Sequence, residues 1–376
     1  MKKIQMVDLL SQYEKIQPEV DKAVLEVMQS SAFINGPEVK SFQSELEKYL
    51  SVNHVVPCAN GTDALQIAMM GLGLKPGDEV ITADFTFAAT VEVIALLQLT
   101  PVLVDVNEDD FNINIEAIKR AITPKTKAIV PVHLFGQCAN MEAVMAIAKE
   151  HNLFVIEDNA QAIGANYTYK NGKKVKAGTI GHVGATSFFP SKNLGCYGDG
   201  GALFTNDDQL ADKARMIVNH GMKVRYYHDE IGVNSRLDAV QAVVLNIKLP
   251  LLDGYCERRN RAASYYDAAF AKIDELTIPK RANNSTHVFH QYTLQVANGK
   301  RDELGDYLKA KGISNMIYYP VPLYKQDAYN HYSPEGFELT NTEQLCDTVL
   351  SLPMHSEFSG AQLQYITEAV VSFFEK

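Results

Sequence analysis

The chain has 376 residues, of which 46% are hydrophobic and 21% charged; this composition supports a sizeable core and argues against disorder or a fibrous repeat. Its formal net charge of −10 opposes general attraction to nucleic acid or to anionic membranes. Neither a signal peptide nor an apolar run of roughly 18 residues is visible, so we expect a cytoplasmic protein with no membrane partner.

Cysteine usage points away from metal and disulfide chemistry. The five cysteines are scattered along the chain and odd in number, without a CxxC motif or a Cys/His cluster. This spacing predicts reduced thiols and no zinc site.

Hydrophobic periodicity along the first 250 residues predicts an α/β fold. The first fifty residues have a helical pattern, interrupted by a loop at Gly36-Pro37. From about residue 55, short apolar runs alternate with amphipathic stretches, which is typical of a largely parallel sheet covered by helices on both faces. The predicted strands are 80–82, 101–106, 128–133, 153–157, 185–189 and 202–205. The predicted helices between them are 62–70, 88–97, 115–121 and 141–151.

The pattern changes in the last third of the chain. A long helical stretch is predicted over 238–270, and the segments that follow it alternate differently. They are predicted as a strand at 289–296, a helix at 302–311, a strand at 313–318 and an amphipathic helix at 362–374. We therefore predict a large domain over 1–250 and a small α+β domain over 251–376.

The segment Asn60-Gly61-Thr62-Asp63 opens a predicted helix. Glycine allows close approach, and the free amides of a helix N-terminus together with the Thr62 hydroxyl make a cradle for phosphate. Capping of the helix by Asn60 or Thr62 is the alternative interpretation.

The apolar run Phe154-Val155-Ile156 is followed by two carboxylates, Glu157 and Asp158. Ligands of open α/β sheets bind at the carboxyl ends of strands, where Asp158 is predicted to lie. An aspartate there can keep the pyridine nitrogen of pyridoxal 5'-phosphate (PLP) protonated. A metal ligand or a helix cap is the alternative for this residue.

Lys192 follows another apolar strand, inside a turn rich in small residues. Schiff-base chemistry requires such a partly desolvated amine. Ser187, just upstream, can add a hydroxyl to a phosphate site, and the segment 82–90 places an aromatic residue at the end of a strand, where it can stack on a flat ring. The alternatives are a surface lysine in a glycine-rich loop and a phenylalanine of the ordinary core.

These motifs, in this order, resemble the sugar aminotransferases of the DegT/DnrJ/EryC1/StrS family, within the fold-type I PLP-dependent enzymes. The most specific stretches are 59–65, 157–161, 187–202 and 232–238, and the resemblance extends from residue 7 to residue 355. It implies PLP as cofactor, a mostly parallel mixed sheet flanked by helices, and a homodimer with shared active sites.

The resemblance also implies roles for individual residues. Lys192 is implied to form the Schiff base with the cofactor, and Asp158 to hold the pyridine nitrogen. The other implied cofactor contacts are Gly61, Thr62, Asp63, Phe87, Gln161, Ser187 and, reaching the neighbouring subunit, Asn234. The implied substrate contacts are His220, Arg236, Tyr318 and Tyr319.

The finer resemblance concerns the acceptor. The motifs are most similar to those of enzymes that aminate C3 of UDP-2-acetamido-2-deoxy-3-keto-glucuronate for lipopolysaccharide and capsular sugars, with glutamate as the implied donor. Those enzymes have histidine where this chain has Tyr318, so a 3-keto- or 4-keto-6-deoxyhexose nucleotide is the alternative acceptor.

Three other functions are weighed against transamination. Relatives that dehydrate their sugar have histidine at the position of Lys192, so the lysine favours transamination. A nicotinamide-dependent dehydrogenase requires GxGxxG, and the stretch from Gly71 to Pro76 breaks that pattern at its last position. A non-catalytic sugar-nucleotide sensor on the same fold is the alternative of another class, against which the presence of Lys192 and Asp158 counts.

Overall fold

The computed structural model describes residues 3–334 and 336–375. The helices are α1 (Leu9–Glu14), α2 (Gln17–Ser30), α3 (Pro37–Leu50), α4 (Gly61–Gly71), α5 (Ala89–Leu96), α6 (Ile115–Ala121), α7 (Met141–His151), α8 (Asp208–Ile217), α9 (Ala239–Lys248), α10 (Leu252–Phe270), α11 (Arg301–Ala310), α12 (Thr340–Thr348) and α13 (Gly360–Phe374). The strands are β1 (His54–Cys58), β2 (Glu79–Ala83), β3 (Thr100–Val104), β4 (Thr126–Val130), β5 (Phe154–Asp158), β6 (Asn166–Thr168), β7 (Lys174–Lys176), β8 (Val183–Ser187), β9 (Gly201–Thr205), β10 (Met222–Val224), β11 (Tyr227–His228), β12 (Leu276–Thr277), β13 (Tyr292–Val296) and β14 (Val349–Leu352). Short 3-10 turns lie at Leu134–Gly136, Leu249–Leu251, Leu323–Lys325 and Asn330–Tyr332.

A seven-stranded sheet of order β1-β9-β8-β5-β4-β2-β3 organises the first 250 residues. β9 runs antiparallel to both of its neighbours, and the other pairs are parallel. Successive residues of one strand enter different apolar clusters: Val80 belongs to the cluster that includes residues of α4, α5 and α8, whereas Ile81 belongs to the cluster that includes residues of α3, α7 and α9. Helices therefore cover both faces, and the predicted fold class is confirmed.

The structure differs from the predicted elements of the first 270 residues at two places, one strand and one long helical stretch. β1 was not predicted, since its five residues contain Pro57. Proline is tolerated there because β1 is an edge strand, paired only with β9. The helical stretch predicted over 238–270 is divided at Leu249–Leu251, where Pro250 removes a backbone donor.

The predicted strand at 313–318 is wrong. This segment makes only isolated bridges, from Ile313 to Ile4 and from Met316 to Ser351, because its backbone passes from one partner to another. β13 lies between β12 and β14 in a three-stranded sheet, and neither of these two short strands was predicted. Apolar residues of this sheet pack against α10, α11 and α13. The domain boundary at residue 250 stays a prediction.

No helix within 3–334 and 336–375 is both long and apolar enough to cross a membrane.

A buried carboxylate fixes the segment after Tyr319 to the large sheet. Asp84 follows β2 directly and is 1% exposed. Its oxygens accept hydrogen bonds from the backbone N–H groups of Leu323 (3.0 Å) and Tyr324 (2.7 Å). Burial raises the pKa of Asp84 to about 7 against the opposing effect of these two donors. The segment that contains Tyr318 and Tyr319 is thereby held at the carboxyl ends of the strands.

We expect Asp84→Ala to lower the free energy of unfolding by about 2–4 kcal/mol, because two buried N–H groups lose their acceptor. Urea denaturation followed by circular dichroism measures this difference. Asp306→Ala is the matched control, since Asp306 is 79% exposed and pairs only with Lys309; it should change the free energy by less than about 0.5 kcal/mol. Equal stability of Asp84→Ala and wild type would contradict the anchoring role.

Candidate active site

A cavity of about 370 Å³ opens at the carboxyl ends of the parallel strands, where open α/β sheets bind their ligands. Its walls come from the N-terminus of α4, the loops after β2, β5 and β8, and two segments near the end of the chain. The sequence-predicted residues that line it are Gly61, Thr62, Phe87, Asp158, Gln161, Ser187, Lys192, Tyr318 and Tyr319.

The N-terminus of α4 closes one end of the cavity. Asn60 caps the helix by accepting a hydrogen bond from the backbone N–H of Asp63 at 2.8 Å, so the capping interpretation is confirmed for Asn60. A Cβ at Gly61 would lie 2.7 Å from Cβ of Ser187, and only glycine permits this approach of helix and strand. Thr62 and Ser187 face the cavity beside the helix terminus. The arrangement suits an anion such as phosphate.

Asp158 ends β5 with its carboxylate in the cavity, and it is 5% exposed. One oxygen accepts a hydrogen bond from the Thr90 hydroxyl at 2.7 Å, and the other accepts from the backbone N–H of Ala160 at 3.1 Å. Both donors fix the carboxylate in one orientation. A cationic ligand group in the cavity would meet a preorganised anion.

Lys192 lies in the same cavity, on the loop between β8 and β9. Burial lowers the pKa of its amine to about 8, although the nearby Asp158 carboxylate favours the charged form. No residue within 3–334 and 336–375 forms a hydrogen bond or ion pair with Nζ of Lys192. The amine is therefore available, and with a pKa of about 8 roughly a tenth of it is neutral at pH 7, far more than for an ordinary lysine, which favours Schiff-base chemistry.

The loop that contains Lys192 is fixed by polar contacts on both sides. Nδ2 of Asn193 donates to the carbonyl oxygen of Val288 at 2.9 Å. The buried Lys248 donates from Nζ to the carbonyl oxygen of Gly195 at 2.8 Å. Because the loop is fixed, Lys192 has a defined position.

Gln161 connects two walls of the cavity. Its amide oxygen accepts a hydrogen bond from the backbone N–H of Phe135 at 2.8 Å, and its amide nitrogen donates to the hydroxyl of Tyr319 at 3.3 Å. Burial raises the pKa of Tyr319, so this hydroxyl stays neutral. Tyr319 in turn packs edge-on against Phe85, with 5.7 Å between ring centroids.

Phe87 and Phe85 have different surroundings although they are two residues apart. Phe85 is 1% exposed and belongs to the core, whereas Phe87 is 60% exposed and borders the cavity. An open aromatic face at a cavity wall is suited to stacking on a planar ligand. The core interpretation therefore fails for Phe87.

Four predicted site residues do not line this cavity: Asp63, His220, Asn234 and Arg236. The backbone N–H of Asp63 is used by the Asn60 cap. His220 and Asn234 are exposed and lie in one segment, in which Arg236 donates to Oδ1 of Asn219 at 3.4 Å. None of His220, Asn234 and Arg236 lines the cavity that contains Lys192.

The lining residues that were not predicted include Thr86, His290 and Gln291. The hydroxyl of Thr86 and Nδ1 of His290 are buried and have no hydrogen-bond partner among the described residues. Their signal in the sequence is weak, because His290-Gln291 lies in an apolar run that indicates core. Within 3–334 and 336–375, no group of three or more His, Cys, Asp or Glu side chains could hold a metal ion.

Comparison with known proteins places this site in a family. The profile of the DegT/DnrJ/EryC1/StrS aminotransferase family matches residues 14–371. A Geobacillus stearothermophilus relative named "Pleiotropic regulatory protein" is 47% identical over 99% of this chain and 98% of its own length. The UDP-2-acetamido-2-deoxy-3-oxo-D-glucuronate aminotransferase of Pseudomonas aeruginosa is 41% identical over 98% of this chain and 100% of its own.

A solved structure agrees with the family match and with these two relatives. S. venezuelae DesV, in complex with a ketimine intermediate, superposes with a TM-score of 0.95 at 38% identity, covering 100% of each chain. The resemblance stated from the motifs is confirmed: the chain belongs to the DegT/DnrJ/EryC1/StrS aminotransferase family.

Proposed function

We propose that this protein uses PLP to transfer an amino group from an amino acid, glutamate, to C3 of a nucleotide-linked keto sugar in the cytoplasm. The observation that carries the proposal is that an unpartnered Lys192 amine of lowered pKa and the fixed Asp158 carboxylate line one cavity. A sugar-nucleotide sensor would gain nothing from a buried amine of lowered pKa.

The cavity residues fit PLP, the cofactor of this family. The cradle of Gly61, Thr62 and Ser187 would hold the phosphate, and Asp158 would hold the protonated pyridine nitrogen. Phe87 would cover one face of the ring, with Gln161 beside it. When bound, PLP supplies an electron sink that stabilises negative charge on the carbon attached to the amino nitrogen.

The chain's own residues then handle the protons. The Lys192 amine, whose pKa is lowered to about 8, takes in its neutral form a proton from the α-carbon of the donor and holds it at Nζ. Asp158 keeps its partner nitrogen protonated because Thr90 and Ala160 hold its oxygens in place. The walls of the cavity limit the access of water to the reacting atoms.

Relatives support amination at C3. Their names include a UDP-2-acetamido-2-deoxy-3-oxo-D-glucuronate aminotransferase, a UDP-N-acetyl-3-dehydro-alpha-D-glucosamine 3-aminotransferase and a dTDP-3-amino-3,4,6-trideoxy-alpha-D-glucose transaminase. The UDP-3-keto-glucuronate is the first choice, in the service of surface polysaccharide synthesis. Tyr318 lines the cavity as a neutral phenol, since burial raises its pKa, and it offers no cation to a uronate carboxylate. A 3-keto-6-deoxyhexose nucleotide is therefore the alternative acceptor.

The active unit is proposed to be a homodimer. An apolar groove on α1 and α2 has Leu10 64% and Leu25 60% exposed at its surface, a patch suited to a second copy of the chain. Because Asn234 lies outside its own cavity, we propose that it completes the phosphate site of the neighbouring subunit. His220 and Arg236 would reach the substrate there in the same way.

The first test is an absorbance spectrum of the purified protein, recorded with PLP before and after glutamate. We expect a near-visible band that shifts to shorter wavelength with glutamate. Lys192→Ala should fold, lack this band and lose turnover by about 10²–10⁴-fold or more, because the base is removed. Turnover assays with keto-sugar nucleotides of the UDP and dTDP series then identify the acceptor. A wild type without a band would favour the sensor function.

The rate at which cofactor-free protein captures PLP should depend on pH through Lys192. Only the neutral amine is a nucleophile, so the rate should rise about tenfold per pH unit up to about pH 8 and level off above it. Stopped-flow absorbance between pH 6.5 and 10.5 measures this profile. The amine of N-acetyl-lysine methyl amide is the control, and its rate should keep rising beyond pH 10. A capture rate of the protein that also keeps rising beyond pH 10 would show that Lys192 behaves as an ordinary, exposed lysine.

A mixed dimer tests the shared site. Lys192→Ala and Asn234→Asp, each inactive alone, should recover about a quarter of wild-type activity when co-expressed, since half of the dimers are mixed and each contains one intact site. Co-expression of Lys192→Ala with Asp158→Asn is the control: both residues act in their own subunit, so no mixed dimer has an intact site. Equal activity of the two pairs would argue against the role of Asn234.

A further inference from the structure

His290 is a buried histidine whose ring has no partner. It is 5% exposed and lines the cavity that contains Lys192. No residue within 3–334 and 336–375 forms a hydrogen bond with its imidazole, and Nδ1 is buried without a partner. The backbone is fixed on both sides: its N–H donates to the carbonyl of Phe135 at 2.9 Å, and its carbonyl accepts from Arg259 at 3.3 Å.

His287, three residues earlier, shows what a satisfied core histidine looks like in the same segment. Its ring stacks on Phe289 with 3.8 Å between centroids and an interplanar angle of 4°. Its Nδ1 accepts a hydrogen bond from the backbone N–H of Phe289 at 3.1 Å. An unpartnered buried polar group is destabilising, so the free ring of His290 requires an explanation that His287 does not.

The surrounding charges keep the His290 ring neutral. Burial, Lys192 and Arg259 all lower its pKa well below the usual value. A neutral imidazole offers one N–H donor and one lone-pair acceptor. The other charged or titratable groups that line the cavity are Asp158, Asp199, Tyr318 and Tyr319.

Two unpartnered groups thus lie in one cavity: an amine that can donate, at Lys192, and a ring nitrogen that can accept, at His290. Asp158 already accepts hydrogen bonds from Thr90 and Ala160. Tyr319 already accepts from Gln161. His290 therefore has an unused acceptor to offer to the Lys192 amine.

We propose that His290 is a positioning residue for Lys192: neither group has a hydrogen-bond partner among the described residues, and a turn of the lysine side chain within the cavity lets the free ring nitrogen of His290 accept a hydrogen bond from the amine. The inference rests on the proposed function, in which Lys192 must hold and return a proton. The contact keeps the freed amine in the cavity while it carries that proton. An acceptor at this place also stabilises the charged amine and raises its proton affinity.

The test is the pH profile of PLP capture by cofactor-free protein, measured for wild type and His290→Leu. Loss of the acceptor should move the midpoint to lower pH by roughly one unit, which is a tenfold change in proton affinity. In the half-reaction with glutamate, kcat should fall about tenfold with KM within about threefold, because the lysine is misplaced and the donor site is retained.

Conservative variants separate positioning from packing. His290→Asn and His290→Gln place an amide oxygen near the positions of Nδ1 and Nε2, and the one that matches the accepting nitrogen should restore the wild-type midpoint. His287→Leu is the matched control; it should lower thermal stability and leave the midpoint unchanged. If His290→Leu does not fold, His290→Ala makes the same comparison with less bulk.

The outcomes are distinct for the two proposals. A wild type that captures no PLP overturns the proposed function itself. A wild type that captures PLP, with the same midpoint in His290→Leu or His290→Ala, overturns only the role of His290. A shifted midpoint that neither amide variant restores likewise overturns the hydrogen bond.

Discussion

The balance between burial and charge at Lys192 is the constraint on which the rest of the site depends. Burial disfavours the ammonium, whereas the Asp158 carboxylate favours it, and burial is the larger effect. A fully exposed lysine would be protonated and inert as a nucleophile, and a stronger ion pair with Asp158 would have the same result. Thr90 and Ala160 donate hydrogen bonds to the Asp158 carboxylate and keep its oxygens from forming a stronger ion pair with the Lys192 amine. The sheet supplies this geometry, since β5 and β8 are parallel neighbours and both end at the cavity.

Buried cations hold the walls of the cavity without entering it. Lys248 donates to the carbonyl of Gly195, and Arg259 donates to the carbonyls of Phe289, His290 and Met354. The acceptors of these two cations are backbone carbonyls, with Nε of Arg259 left unpartnered among the described residues, so no carboxylate of the cavity is consumed in pairing with them. The pKa of Lys248 falls to about 8 and that of Arg259 to about 10, which is the effect of burial on both. Polar groups inside the cavity therefore remain available for ligands.

The sequence alone predicted the large sheet well, because apolar runs are local patterns, and several of the site residues that it predicted line one cavity in the structure. Apolar runs marked six strands of the large sheet, and Asp158, Lys192 and Gly61 follow or precede such runs directly. It missed β1, whose proline is acceptable only at an edge that no local pattern reveals. It misassigned residues 313–318, where an extended backbone changes partner between Ile4 and Ser351. It also missed His290, since a histidine in an apolar run indicates core, and only the folded chain distinguishes it from His287.

The two ends of the cavity come from different parts of the chain, and this separation bears on specificity. Gly61, Asp158, Ser187 and Lys192 all come from the large sheet and its loops, so one fold can keep the reaction type constant. Gln291 and Tyr318 come from late segments that are attached to the sheet through contacts such as Asp84 to Tyr324. Under the proposed dimer, Asn234 and Arg236 would be added by a second copy. Relatives of 38–42% identity are named for different acceptors, and under the proposed function such a difference would fall on these attached segments rather than on the balance at Lys192.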